Sequence, residues 1–200
     1  MQFFNRSRTR PARLGVLAGG FNPPTIAHLA LATAAGDYVD QVLYVVPRVY
    51  PHKEYSGATL EQRVEMLGSL ESNVLQSIAV TEQGLLIDIA QECRAEFGPD
   101  TRLYFLCGRD AAERVLGWDY GRDGVVAEML REFELLVASR SGEFAPPPEF
   151  RTRIHLLDLA GRHDHVSSTE VRERIERGEP WQHLVPKEIV KQVSEIYGCV

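Results

Sequence analysis

The sequence predicts an α/β fold, a Rossmann-like parallel sheet with helices on both faces. Short apolar, β-branched runs alternate with longer segments of helical periodicity along most of the chain. Several of these runs end at Gly or Pro, as buried strands do before a turn. A length of 200 residues suits a single domain of this type and is short for two.

The predicted strands are apolar without alternation, which is typical of central strands in a parallel sheet. The first covers residues 14–17 and runs into the glycine turn at Gly19 and Gly20. The second covers residues 41–46 and is closed by Pro47. Four further strands are predicted at residues 77–81, 102–107, 134–138 and 153–157.

The predicted helices are marked by their caps. The first covers residues 28–35 and ends at Gly36, a residue suited to a helix C-terminus. The second begins after Thr59, which fits an N-cap, and extends to about residue 70. The others are predicted at residues 85–97, from about 110, 125–132, 168–177 and 186–197.

Composition excludes several classes of protein. The formal net charge of -6 argues against a general nucleic-acid binder but not against a pocket for anionic substrates. The apolar runs are too short to cross a membrane. Three widely spaced cysteines without a CxxC pair fit a reducing compartment, so a cytoplasmic location is predicted, with no membrane or nucleic-acid partner.

The first 13 residues contain four arginines and lack the apolar run of a signal peptide. They are interpreted as a flexible basic leader, a solvated tail rather than a phosphate-binding arm. The remaining residues, 14–200, are predicted to form the domain, with a C-terminal helical part from about residue 168.

The first candidate site lies at residues 19–28, between the first strand and the first helix. Its glycines let a ligand approach the backbone, and the amides at a helix N-terminus attract anions. Thr25 and His28 lie three residues apart, so both can reach the same phosphate chain. Neither GxGxxG nor a Walker A loop is present. Taken alone, the pair is better explained by a helix cap and a surface histidine, because threonine is common at an N-cap.

The second candidate site lies at the start of the predicted helix 168–177. Ser167, Ser168 and Thr169 offer hydroxyls beside free amides, and Arg172 adds a bidentate donor. This combination could hold a phosphate, although it also fits a capping motif followed by a solvated arginine.

The two segments together resemble the adenylyltransferases that act on nicotinate or nicotinamide mononucleotide. Residues 21–28, FNPPTIAH, are similar to that family's F-(D/N)-P-x-(H/T)-x-x-H, and residues 167–172, SSTEVR, to its S-S-T-x-(V/I)-R. These enzymes belong to a wider group of nucleotidyltransferases with an (H/T)-x-x-H signature. The resemblance covers nearly the whole chain from Leu14 onward.

The resemblance implies transfer of AMP from ATP to a pyridine mononucleotide in NAD biosynthesis, with Mg²⁺ entering as a companion of ATP and no protein metal site. It implies catalytic roles for His28, Lys53 and Arg172. The residues it implies for ATP binding are Gly19, Gly20, Phe21, Thr25, His28, Gly108, Asp110, Ser167, Ser168, Thr169 and Arg172. Those it implies for acceptor binding are Asn22, Lys53, Asp88, Trp118 and Arg140.

The acceptor side departs from the bacterial pattern. Residues 84–89 read GLLIDI where that family usually carries Y-T-(V/I)-D-T-L, so Asp88 is present and the threonines are not. Three alternatives stay open: adenylyl or cytidylyl transfer to another phosphorylated acceptor such as phosphopantetheine, a non-catalytic nucleotide-binding homologue, and nucleic-acid binding through the basic leader. The sequence also leaves the oligomeric state open, a homo-oligomer included.

Overall fold

The structure of the protein is a computed structural model that describes residues 1–49, 57–138, 144–159, 163 and 165–198. A seven-stranded sheet forms its centre. The strands are β1 Gln2–Asn5, β2 Arg13–Ala18, β3 Gln41–Pro47, β4 Gln76–Thr81, β5 Arg102–Gly108, β6 Glu134–Ala138 and β7 Ile154–Leu157. The α-helices are α1 Ile26–Ala34, α2 Leu60–Gly68, α3 Leu86–Phe97, α4 Arg109–Gly117, α5 Val125–Glu132, α6 Ser168–Glu176 and α7 Val190–Tyr197.

The spatial order of the strands is β1-β4-β3-β2-β5-β6-β7. The six strands from β2 to β7 pair in parallel, and β1 pairs antiparallel with β4. From β2 the chain proceeds to β3 and β4 on one side, and then crosses to β5 on the other side. The sheet therefore has a switch point between β2 and β5, where open α/β sheets bind ligands beyond the strand ends.

Helices cover both faces of the sheet, which confirms the predicted fold class. Apolar residues of α1, α2, α6 and α7 pack with one set of strand side chains, among them Leu31, Met66 and Val193. Residues of α3, α4 and α5 pack with the opposite set, including Ile89 and Leu130. No helix among the residues described here is long and apolar enough to cross a lipid bilayer.

The N-terminal segment differs from the predicted flexible leader. Residues 2–5 form β1, and the Arg6 guanidinium lies 4.4 Å from the centre of the Phe3 ring and pairs with Glu96 at 2.8 Å. Arg10 donates a hydrogen bond to the carbonyl of Phe97. The prediction of a loose tail is therefore wrong for these residues, because aromatic packing and ion pairing attach the segment to β4 and α3.

Candidate active site

The loop between β2 and α1 is packed tightly onto the sheet. The amide of Gly19 donates to the carbonyl of Val45 at 3.0 Å, and a Cβ at position 19 would lie 3.1 Å from the Phe21 ring. Phe21 has a φ of 48° and is buried, with its ring against Tyr44 and His28. A side chain at position 19 would therefore press on the buried aromatic ring that fixes the loop.

His28 is oriented by the N-terminus of its own helix. The Thr25 amide donates to His28 Nδ1 at 3.0 Å, and the Thr25 hydroxyl oxygen lies 2.8 Å from the same nitrogen. Because Nδ1 accepts a backbone hydrogen bond, the proton of the neutral ring is assigned to Nε2. The helix cap thus fixes the tautomer that presents an Nε2–H donor.

Thr25 itself is fully buried. Its hydroxyl is directed to the imidazole rather than to solvent, so the interpretation of Thr25 as a direct phosphate ligand does not fit its burial. The spacing of Thr25 and His28 does bring the two side chains together, as predicted. The threonine acts on the histidine and is not part of the accessible surface.

The two sequence motifs meet in space. The Ser168 hydroxyl donates to the carbonyl of Pro23 at 2.7 Å, and Arg172 Nη1 donates to the carbonyl of Asn22 at 2.6 Å. Ser167 caps α6, accepting from the Glu170 amide at 3.1 Å. We call this contact of the β2–α1 loop with the N-terminal part of α6 the loop–α6 junction. It brings the starts of α1 and α6, both suited to anions, to one place.

A third set of contacts, made by Arg63 of α2, holds the β2–α1 loop. Arg63 of α2 is buried, and its Nη1 donates to the carbonyl of Gly20 at 3.0 Å while its Nε donates to the carbonyl of Thr59 at 3.3 Å. Sequence analysis did not include Arg63 in the site. A signal was present, because Arg63 lies on the same helical face as the apolar residues Leu60 and Leu67, where a charged side chain needs a partner.

Asn22 was predicted to contact the acceptor, and the structure gives its side chain a buried setting. Its Oδ1 accepts from the Ala58 amide at 3.2 Å and from the Tyr197 hydroxyl at 2.5 Å. Tyr197 is the last residue of α7 and did not figure in the sequence-predicted site. Tyr197 and Asn22 are 175 positions apart in the sequence, so no local pattern could reveal their contact.

The β5–α4 turn lies beside the β2–α1 loop. Val16 of β2 pairs with Phe105 of β5, so the ends of these two parallel strands are neighbours. Gly108 ends β5 and is the N-cap of α4, and Asp110 is exposed in the first turn of that helix. Gly108 and Asp110, both predicted to bind ATP, therefore lie at the switch point.

The residues predicted for the acceptor are more dispersed. Trp118 is the C-cap of α4 and is 42% exposed. It lines an open cleft of about 660 Å³ formed by the α4–α5 connection and Phe150, which we call the Trp118 cleft. Asp88 lies in the first turn of α3, a helix that packs on the same face of the sheet as α4 and α5. Lys53 and Arg140 lie outside the described residues.

Most of the chain matches the model of a known protein family. The model of the family described as cytidylyltransferase-like matches residues 16–174, a span that begins in β2 and ends in α6. The chain belongs to this family. The matched span includes both motifs of the loop–α6 junction.

Relatives and solved structures agree with this assignment. Probable nicotinate-nucleotide adenylyltransferases from Moorella thermoacetica and Thermus thermophilus are each 32% identical to the chain, covering 92% and 88% of it and 90% and 94% of their own lengths. A Plasmodium falciparum nicotinic acid mononucleotide adenylyltransferase complexed with NaAD matches with a TM-score of 0.68 and 16% identity, over 90% of this chain and 95% of that one. The structural likeness supports the fold.

Proposed function

We propose that the protein transfers AMP from ATP to nicotinate or nicotinamide mononucleotide, forming the dinucleotide and pyrophosphate. The observation that carries the proposal is the loop–α6 junction, in which an oriented His28, the Arg172 guanidinium and two helix N-termini come from motifs far apart in sequence. The names of the curated relatives support the same activity.

The reaction needs no protein nucleophile. An oxygen of the acceptor's 5′-phosphate would form a bond to the α-phosphorus of ATP while the bond from that phosphorus to the bridging oxygen breaks, releasing pyrophosphate. Negative charge grows on the leaving group, where the His28 Nε2–H, Arg172 and the helix amides would stabilise it. Lys53 would contribute a further cation from the segment that the structure does not describe.

We assign the remaining predicted residues to two halves of the site. Ser168 and Thr169 would hold phosphate oxygens beside Gly19 and Gly20 through their amides in the first turn of α6, since the Ser168 hydroxyl already donates to Pro23. Gly108 and Asp110 would contact the ribose and adenine. On the acceptor side, the exposed ring of Trp118 fits stacking on a pyridine. The buried setting of Asn22 favours a role in holding the loop over direct acceptor contact.

A divalent cation would accompany ATP. Within the described ranges no group of three or more His, Cys, Asp or Glu side chains could hold a metal ion. In the proposed reaction, phosphate oxygens and water would carry the Mg²⁺ ion. Such an ion would neutralise charge on the departing pyrophosphate, and His28 and Arg172 would hold the phosphates from the protein side.

We also propose that the protein acts in the cytoplasm. The reaction draws on ATP, and the two described cysteines, Cys93 and Cys107, are free thiols. Unpaired cysteines are usual in a reducing compartment.

Pyrophosphate release tests the proposal directly. The purified protein is incubated with ATP or CTP and with nicotinate mononucleotide, nicotinamide mononucleotide or phosphopantetheine, in the presence of Mg²⁺. We expect release with ATP and a pyridine mononucleotide. Release with phosphopantetheine or CTP in their place would move the assignment to a sister activity. ATP binding without release for any acceptor would indicate a non-catalytic homologue and contradict the proposal.

A further inference from the structure

We propose that Tyr197, at the C-terminal end of α7, is a positioning residue for the catalytic loop, and this inference rests on the proposed function. It acts through Asn22 and does not itself touch substrate. The inference extends the active site to a helix that neither candidate motif includes, and it assigns to α7 a function besides packing.

The contact is specific in its geometry. The Tyr197 hydroxyl donates to Asn22 Oδ1, which also accepts from the Ala58 amide at 3.2 Å. The tyrosine ring lies close against the backbone at Gly57, where an added Cβ would be 2.8 Å from the ring. Both the ring and the hydroxyl of Tyr197 are therefore fixed, and they hold a side chain that is itself buried.

Asn22 is held at both of its oxygens by different helices. Its backbone carbonyl accepts from Arg172 of α6 at 2.6 Å, and its side-chain oxygen accepts from Tyr197 of α7. Arg172 is one of the proposed phosphate ligands. Because its Nη1 donates to the Asn22 carbonyl, the position of its guanidinium depends on the position of Asn22. A shift of Asn22 would move Arg172 and the first residues before α1 together.

The electrostatic setting keeps Tyr197 a donor. Burial raises the pKa of the phenol to about 12, although the nearby Arg172 and Arg63 guanidinium groups act in the opposite direction. The hydroxyl is therefore protonated throughout the neutral range. A positioning role predicts that the effect of removing the hydroxyl is constant with pH, whereas a proton-transfer role predicts a change in the pH profile.

The test begins with Tyr197→Phe, which keeps the ring and removes the hydroxyl. Tyr38→Phe is the matched control, because Tyr38 is a partly exposed tyrosine outside the proposed site. Steady-state pyrophosphate release is measured from pH 6 to 9, together with the affinity for a non-hydrolysable ATP analogue and the Tm. We expect Tyr197→Phe to lower kcat/KM for ATP about fivefold at every pH, as loss of one neutral hydrogen bond suggests, and Tyr38→Phe to leave it unchanged.

A double-mutant cycle with Asn22→Ala identifies the path of the effect. If Tyr197 acts through Asn22, adding Tyr197→Phe to Asn22→Ala lowers kcat/KM by less than twofold further. Wild-type activity in Tyr197→Phe would overturn the inference, and so would an undiminished loss in the Asn22→Ala background. A wild-type protein that releases no pyrophosphate with any acceptor refutes the proposed function and the inference with it. An active wild type whose Tyr197→Phe variant is equally active refutes the inference alone.

Discussion

The loop–α6 junction and the Trp118 cleft are built in different ways. At the junction, half-buried side chains of α6 donate to the loop carbonyls of Asn22 and Pro23, and the buried Arg63 of α2 donates to the carbonyl of Gly20 nearby. The Trp118 cleft is open, and the Arg122–Glu128 ion pair near its rim is solvent-exposed on both sides. The first region is organised before any ligand binds, and the second can adjust to its ligand.

This difference teaches where activity and selectivity reside in the proposed enzyme. Groups that stabilise a transition state work best when they are fixed in advance, because no reorganisation is needed during the reaction. In an open cleft lined by a few side chains, few substitutions are needed to change which acceptor binds. The departure from the bacterial acceptor pattern at residues 84–89, beside an intact pair of phosphate motifs, fits this division.

The largest effect is expected from His28→Ala. The variant removes the oriented Nε2–H donor, and we expect kcat to fall by a hundredfold or more, as for loss of one preorganised donor to a developing charge. The exposed His183→Ala variant serves as the control and should retain full turnover. Tm values are measured in parallel. Near-normal turnover in His28→Ala at matched Tm would show that His28 takes no part in the reaction and would contradict the proposed active site.

A smaller effect on turnover, with a loss of stability, is expected from Arg63→Met. The substitution replaces the guanidinium side chain with a shorter, unbranched apolar one and leaves the carbonyls of Gly20 and Thr59 without this donor. The Thr59 carbonyl keeps its bond from the Arg63 amide, so the main loss is at the half-buried Gly20 carbonyl. We expect kcat/KM to fall about tenfold and the Tm to fall by several degrees, since an unpaired carbonyl costs about 1–3 kcal/mol. An unchanged Tm with unchanged turnover would show that Arg63 does not hold the β2–α1 loop in place.

The smallest of these effects, and the most selective, is expected from Trp118→Ala. Loss of a stacking ring should raise the KM for the pyridine mononucleotide about fivefold and change the KM for ATP by less than twofold. Steady-state kinetics with each substrate varied in turn gives both values. Equal changes in the two KM values would contradict the assignment of the cleft to the acceptor.

The sequence predicted most of the sheet because its central strands are strongly apolar, and bounds such as those of β6 and α5 agree with the structure. It missed β1, whose four residues are followed by an arginine-rich segment and show no alternation. An antiparallel edge strand of this kind is stabilised by its partner β4 rather than by its own pattern.

The two motifs could be found from sequence because each lies in one local segment. The residues that support them could not be found in the same way. Arg63 and Tyr197 act through contacts with loop atoms 43 and 175 positions away, so their roles emerge only once the chain has folded. Thr25 was placed correctly in sequence, but its burial makes it a support for His28 rather than a ligand.

A structure of the protein with Mg²⁺ and a non-hydrolysable ATP analogue tests the central claim most directly. The account predicts that the triphosphate lies between the N-termini of α1 and α6, within hydrogen-bond distance of His28 Nε2 and the Arg172 guanidinium. A triphosphate bound elsewhere on the molecule, or bound there with either side chain turned away from it, would contradict the account.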